Sequence, residues 1–593
     1  MDKKDTVQIR AQREAENFLK NETQFHLGIL PTEQSNPKTR GLDRIFANEP
    51  VEGVRTLLSV DTDIAEMAER IFASRQYRKM IYDIELAVKS GHKIVFSGCG
   101  STGRLSILLE SMWRRFFINL HKSAPELYYR IRQYEDSVYS IMTGGDYALI
   151  RSVESFEDYQ EFGRQQVREL NIVKGDVLVA ITEGGETSSV LGTVAESVDR
   201  KADVFLLFNN PADILVKNIE RSKKAIEDPA VTVLDLYCCP MAIAGSTRMQ
   251  ATTSELLVAG AALETVLQNI LNEISGNETG QSEAVSFDYA RSFSDLLAGL
   301  NSPPNLKNLA DYIKLETDVY KENGLVTYFA KDHMIDIFTD TTERAPTFML
   351  PPFTKIDDNV SPPSWAFAKN PLYPSPEAWN SMLGRPPRCL EWDSKLYLKL
   401  KAPSSLMDNP PLIDLKQILK FCIGNETDNS RLSRSPNIAV NILGSNELSG
   451  EDYQKYNSAF QKCVSAYQKY YSLVVGKGDF SADYSINCPV AETTLNLFRH
   501  LAFKLVLNTI STGTMVIMGR VTGNWMSWVD VSNKKLKDRG IRLISEICNM
   551  SYEDACYELH EALEELKIIS SANEERLSPV QYTIKKIREK RLQ

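Results

Sequence analysis

The chain lacks an excess of positive charge. Its 68 Lys and Arg stand against 78 Asp and Glu, a net charge of −10, which argues against a general binder of nucleic acid or anionic membranes. Histidine is scarce, at six, and the nine cysteines are scattered without the spacing of a metal-ligand set. Cys238 and Cys239 are adjacent within a strand-like run and read as small buried residues. No apolar run is long enough to cross a bilayer, and the opening residues MDKKDTVQIRAQREAENF are too charged for a signal peptide. These absences lead to the expectation of a reduced, cytoplasmic protein with no metal and no cofactor. What remains is ordinary for a globular chain, with 43% apolar and 25% charged residues. At 593 residues it is too long for one core, and length alone suggests about three or four units.

The order of patterns points to an α/β fold. Residues up to about 80 read as helical and polar. Ile94-Val95-Phe96 is then a short apolar strand, followed by Ser97-Gly98-Cys99-Gly100-Ser101-Thr102-Gly103-Arg104 and an apolar helix. Asp176–Ile181, Val204–Phe208 and Val231–Tyr237 are further strands, with helical patterns between them. Buried strands alternating with helices predict a doubly wound parallel sheet. The pattern then repeats, with strands at 323–329, 437–444 and 471–476. Cys239-Pro240 and Cys488-Pro489 each close a strand, and fifteen residues past each proline a helix reads Glu255-Leu256-Leu257-Val258 or Lys504-Leu505-Val506-Leu507. Two copies of one unit are therefore expected. The boundaries are read as an N-terminal segment over 1–50, a first domain over 51–295, a degenerate second domain over 296–500 and a helical cap over 501–593. A proline-rich stretch between about 350 and 411 is expected to be largely irregular.

A glycine-rich turn from a strand into a helix offers an anion the free amides of the first helical turn and the favourable end of the helix dipole. Ser101 and Thr102 would add hydroxyl donors. The turn is not a Walker loop, because no Gly-Lys-Ser/Thr follows. Gly98, Gly100 and Gly103 have dinucleotide-loop spacing, yet serine and threonine fill the turn. The second copy has Ala330-Lys331-Asp332-His333-Met334 instead, so a single intact phosphate loop is expected. His333 and His500 read as ordinary surface or core residues.

Gly98-Cys99-Gly100-Ser101-Thr102-Gly103-Arg104-Leu105 resembles the loop of the N-acetylmuramic acid 6-phosphate etherases and of the related glucokinase regulatory proteins, members of the sugar-isomerase (SIS) domain family. The resemblance continues at Gly144-Gly145-Asp146 through Val153-Glu154, at Gly184-Gly185, at Asn210-Pro211 and at Gly245-Ser246-Thr247-Arg248-Met249. It also takes in Thr32–Pro37, Leu507–Gly513 and Asn533-Lys534-Lys535-Leu536. The resemblance implies SIS-type domains, with a second one placed before the helical tail as in the regulatory branch. It implies a hexose phosphate ligand of the fructose 6-phosphate kind, with Gly100, Ser101, Thr102, Glu154, Thr182, Glu183, Gly184, Ser246, Glu343 and Lys504 around it.

The etherases eliminate lactate with two glutamates, a base beside the carbonyl and an acid at the leaving oxygen. By this resemblance one falls at Glu154 and the other at Met112, whose thioether cannot carry a proton. Glu110 is two residues away and faces elsewhere on a helix. Gln250 stands where the family has lysine, and Glu186 is unlike either branch. The expectation drawn here is a sensor that binds a sugar phosphate without catalysis and inhibits a sugar kinase. The alternative is an etherase-type lyase or a sugar-phosphate isomerase using Glu154.

Overall fold

The computed structural model describes residues 3–275, 287–531, 533–569 and 578–592. Its first sheet comprises β1 (Ile94–Gly98), β2 (Val138–Met142), β3 (Val177–Ile181), β4 (Asp203–Phe208) and β5 (Val231–Asp235). They lie in the order β2-β1-β3-β4-β5 with every pair parallel. Ile94 pairs with both Val138 and Val177, so β1 and β3 are central. Both are buried along their whole length, which is why they read as unbroken apolar runs. The strand order reverses between β1 and β3. A crevice therefore opens beyond their carboxyl ends, between the loops that follow them.

The second sheet contains β6 (Leu325–Phe329), β7 (Ala366–Lys369), β8 (Asn437–Gly444), β9 (Lys469–Gly476) and β10 (Tyr484–Asn487), in the order β10-β9-β8-β6-β7. All its pairs are parallel. Read from its second strand, this is the topology of the first sheet. The doubled α/β architecture is thus present, including the three strands β2, β7 and β10 that the apolar pattern did not single out. The proline-rich stretch is largely irregular, as expected, with β7 and the short helices Ser375–Leu383, Ser394–Lys399 and Ser404–Asp408 set within it. Three of its prolines stand at helix starts, Pro374 and Pro403 capping two of these helices and Pro376 sitting in a first turn.

The Leu497–Ile517 helix runs unbroken through the position read as the boundary between second domain and cap. It packs against the Gln250–Ile274 and Met334–Phe348 helices. Beyond it, Lys534–Cys548, Tyr552–Ile569 and Pro579–Leu592 pack together, joined by the N-terminal Lys3–Asn21 helix, where Ala15 O accepts from Cys556 Sγ at 3.9 Å. One continuous apolar core takes in Phe96, Val179 and Leu207 of the first sheet and Tyr328, Val440 and Leu473 of the second. No helix among the described residues is long and apolar enough to cross a membrane.

Charge also joins the two sheets. Glu110, on the Ser101–Ser123 helix, is buried and accepts from Arg114 (2.9 Å), Arg385 (2.9 and 3.0 Å), Ser140 (2.6 Å) and Arg388. Burial by itself would raise its pKa, but Arg385 and Arg388 prevail and hold the carboxyl at about 2. The depressed value means that this stabilisation is present above the ordinary value of 4.5 and is lost as pH falls toward 2. Glu110→Ala leaves three guanidinium groups without their shared acceptor. It should destabilise the chain by about 3–5 kcal/mol at pH 7, with a smaller difference at pH 3, as read by denaturant unfolding at both pH values.

Candidate active site at the first domain's switch point

The glycines of the turn after β1 answer to close packing. A Cβ on Gly98 would lie 2.4 Å from the Thr102 carbonyl carbon, and one on Gly103 would lie 2.7 Å from the Met142 side chain. Gly100 has φ +55°. The turn delivers the N-terminus of the Ser101–Ser123 helix to the crevice. Thr102 differs from expectation. Its hydroxyl donates to Cys99 O (2.9 Å) and accepts from Cys99 N (3.0 Å), and its amide donates to Cys99 O (3.2 Å). These groups close the turn, so of the two hydroxyls expected to face an anion, Ser101's is the one left for it.

The loop after β3 forms the facing wall. Thr182 Oγ1 donates to Thr187 Oγ1 (3.0 Å), and Gly184 O accepts from Asn210 Nδ2 (3.0 Å). Asn210 also donates to Thr32 Oγ1 (2.9 Å), which ties the loop to the buried N-terminal segment. Two carboxyls in this loop have opposite fates. Glu186 accepts from Arg221 (2.7 Å) and Lys535 (2.7 Å); against the upward push of burial, these cations hold it at about 2. Glu183 is 9% exposed, and the hydrogen bond identified at its carboxyl is from its own amide. Burial, with Glu343 and Glu157 adding to it and Lys535 opposing, pushes Glu183 up to about 8.

The third wall leads into the Gln250–Ile274 helix. Ser246 Oγ is buried and finds no hydrogen-bond partner among the described residues. Arg248 is buried and donates to Asp340 (2.8 Å), Ser511 (3.2 Å) and Thr512 (2.8 Å). Gln250 accepts from Ala242 N and donates to Asp61, so it serves the fold. Lys504 Nζ faces four protein acceptors, namely Arg248 O (2.9 Å), Met249 O (3.1 Å), Thr253 Oγ1 (2.8 Å) and Asn508 Oδ1 (2.8 Å). Burial lowers its pKa to about 7. Lys504 therefore anchors the segment that carries Ser246 and Arg248, its Nζ already engaged by the protein.

Glu343 arrives from the second domain. Its Oε1 lies 3.7 Å from where a Cβ of Gly100 would be, and it pairs with Arg104. Arg104 is fully buried and aimed by Leu149 O (3.1 Å), Ala148 O (2.8 Å) and Ser152 Oγ (3.1 Å). Glu154 opens a short 3-10 turn, Glu154–Phe156, but its side chain lies outside the described residues. Met112 is 2% exposed in the core, and Glu110 is held by its arginines, so neither brings a carboxyl to the crevice. A cavity of about 800 Å3 is lined by Ser152, Thr342, Arg344, Met349 and Trp365, among others, and by none of the turn residues. Arg104, Glu157 and Lys535 were not singled out by sequence reasoning. Arg104 and Lys535 lie within the quoted motifs, but the pairing of 535 with 186 has no local signal.

The family described as "Glucokinase regulatory protein N-terminal SIS domain" matches residues 77–198. The chain is 30% identical over 258 residues to N-acetylmuramic acid 6-phosphate etherase of Rippkaea orientalis, covering 42% of this chain and 72% of the relative. It is 28% identical over 234 residues to N-acetylmuramic acid 6-phosphate etherase 1 of Bacillus licheniformis, covering 39% and 67%. Tagatose-6-phosphate ketose/aldose isomerase from Escherichia coli superposes with a TM-score of 0.40 at 10% identity, covering 83% of this chain and 97% of that one. The chain belongs to the SIS-domain family of the N-acetylmuramic acid 6-phosphate etherases. The expectation of a non-catalytic sensor that inhibits a kinase is corrected by these relatives, which are named as enzymes. That expectation rested on Met112. A missing carboxyl at one helix position does not count the carboxyls that other loops bring to the crevice. Nothing found supports fructose 6-phosphate as the ligand or a kinase as the partner.

The raised Glu183 has a consequence for stability. A carboxyl with a raised folded-state pKa contributes stability fully below the ordinary value of 4.5 and loses it as pH rises through about 8. Glu183→Gln should be near neutral at pH 5 and stabilising by on the order of 1–3 kcal/mol at pH 9, a difference readable by thermal melts at the two pH values.

Proposed function

We propose that the protein is an etherase-type lyase that removes the lactyl group of an N-acetylmuramic acid 6-phosphate-class sugar by elimination. The phosphate would dock at the N-terminus of the Ser101–Ser123 helix with the Ser101 hydroxyl, where a helix end favours an anion. Ser246 and Glu343 would meet sugar hydroxyls. In the open-chain sugar, the Glu154 carboxylate takes the C2 proton beside the C1 carbonyl. The C2 electron pair forms the C2–C3 double bond as the C3–O bond breaks. The leaving lactyl oxygen then takes a proton from Glu183.

The observation that carries this reading is the placement of Glu183, a buried carboxyl with no cation hydrogen-bonded to it among the described residues, on the loop facing the glycine turn. A carboxyl pushed up to about 8 is protonated at neutral pH, as a general acid must be. It supplies the proton that the residue at Met112 cannot. That substrate class also fits the cytoplasmic location expected from the sequence.

Incubation with N-acetylmuramic acid 6-phosphate should release lactate, detectable with a coupled dehydrogenase. Glu154→Gln and Glu183→Gln should each lower kcat by about 100-fold or more. Wild-type activity should fall above about pH 8 as Glu183 loses its proton. If the sugar binds, as seen by calorimetry, and no lactate appears, the lyase reading is wrong.

A further inference from the structure

The second domain has its own switch point, beyond the carboxyl ends of β6 and β8, and no glycine turn occupies it. There His333, at the start of the Met334–Phe348 helix, meets Asp336 one turn on and His500 from the Leu497–Ile517 helix. His333 Nδ1 lies 3.1 Å from Asp336 Oδ2, and His500 Nδ1 lies 3.0 Å from both Asp336 oxygens. One ligand atom from each residue falls within 4.8 Å of the others, and all three residues are buried. The His333 ring is fixed by stacking on Phe503, with centroids 3.6 Å apart.

Proton counting makes this cluster unusual. Both imidazoles aim the same nitrogen at one carboxylate. The other nitrogen of His333, Nε2, faces Glu447 Oε2 at 3.5 Å. A neutral imidazole has one N–H, so without a metal either the ring or one of the two carboxyls must carry an extra proton. Glu447 is itself held in place by Gly444 N (2.7 Å), and its Oε1 is buried with no partner among the described residues. A cation between His333 Nδ1, His500 Nδ1 and Asp336 satisfies the count with both imidazoles neutral and both carboxylates ionised. His333 then keeps its single N–H for Glu447, the carboxylate–histidine–metal arrangement that orients ligating histidines. Bonds of about 2.0–2.2 Å in a tetrahedral set place donors about 3.3–3.6 Å apart, a few tenths of an ångström wider than the 3.0–3.1 Å spacing around Asp336.

We propose that His333, Asp336 and His500 form a divalent transition-metal site with a fourth position open to water, zinc being the probe that suits two imidazoles and a carboxylate. The site is independent of the proposed reaction. It clamps the Met334–Phe348 helix, which carries Glu343, to the helix that carries Lys504. Asp332, Lys331 and Arg115 lie beside it and pair with one another, so they are not needed as ligands.

The full chain, stripped with EDTA and dialysed, should take up one equivalent of zinc in competition with a chromophoric chelator. Cobalt in its place should give the visible bands of a four-coordinate ion. Asp336→Asn, which keeps the shape and a hydrogen-bond acceptor, should weaken zinc binding about 100-fold or more, and Glu447→Gln about 10-fold. Melting curves of these variants without metal show whether they fold. Less than a tenth of an equivalent bound at zinc saturation, or unchanged affinity in a folded Asp336→Asn chain, would overturn the site and leave a hydrogen-bonded His–Asp–His cluster.

Discussion

Buried charge joins the two sheets, and the candidate site depends on that joint. Arg104 cannot be solvated where it lies. It is held by two backbone carbonyls and Ser152, and its remaining valence reaches Glu343 of the second domain. A short distance away, Arg248 of the first domain meets Asp340, which also holds Arg344 at 2.9 Å, and Arg344 reaches Glu316 at 2.6 Å. Each of these groups would be costly to leave unpaired in a medium of low dielectric. Relative rotation of the sheets would unpair several at once. The wall that carries Glu343 is thus set against the glycine turn with little freedom.

Within that frame the site separates its carboxyls by environment. Glu186 and Glu183 belong to one loop, yet Lys535 and Arg221 bond the first and leave the second to its burial. The contrast follows from the helical tail, since Lys535 comes from the far end of the chain. The tail and the N-terminal segment are themselves locked together, with Arg539 and Arg542 sharing Glu33 at 2.7 and 2.9 Å. What the sequence presents as separate family motifs is one buried polar layer around the first domain's loops.

Much of the fold was legible because central strands of a parallel sheet are apolar on both faces. Ile94-Val95-Phe96 and Asn437–Gly444 announce themselves for that reason. Strands β2, β7 and β10 sit at or next to sheet edges, are short or partly exposed, and carry weaker patterns. β7 is also hidden among prolines whose role in starting helices cannot be told from their role in breaking them. In the site, Ser101, Glu183 and Glu343 were placed near the turn by family motif. The partners of Thr102 and Lys504 were not legible. A hydroxyl or ammonium is read from sequence as an available donor, and only packing reveals that the protein has already taken it.

The sequence alone determined the parallel α/β class, the duplication and the position of the glycine turn, because each follows from local periodicity or from residues a few positions apart. Tertiary structure alone decided which carboxyl keeps its proton, which cations are already paired and which helices His333 and His500 bring together. Those outcomes depend on burial and on charges hundreds of residues away, such as Glu186 with Lys535 and Asp336 with His500. Neither burial nor such distant pairing leaves a mark in the local order of residues.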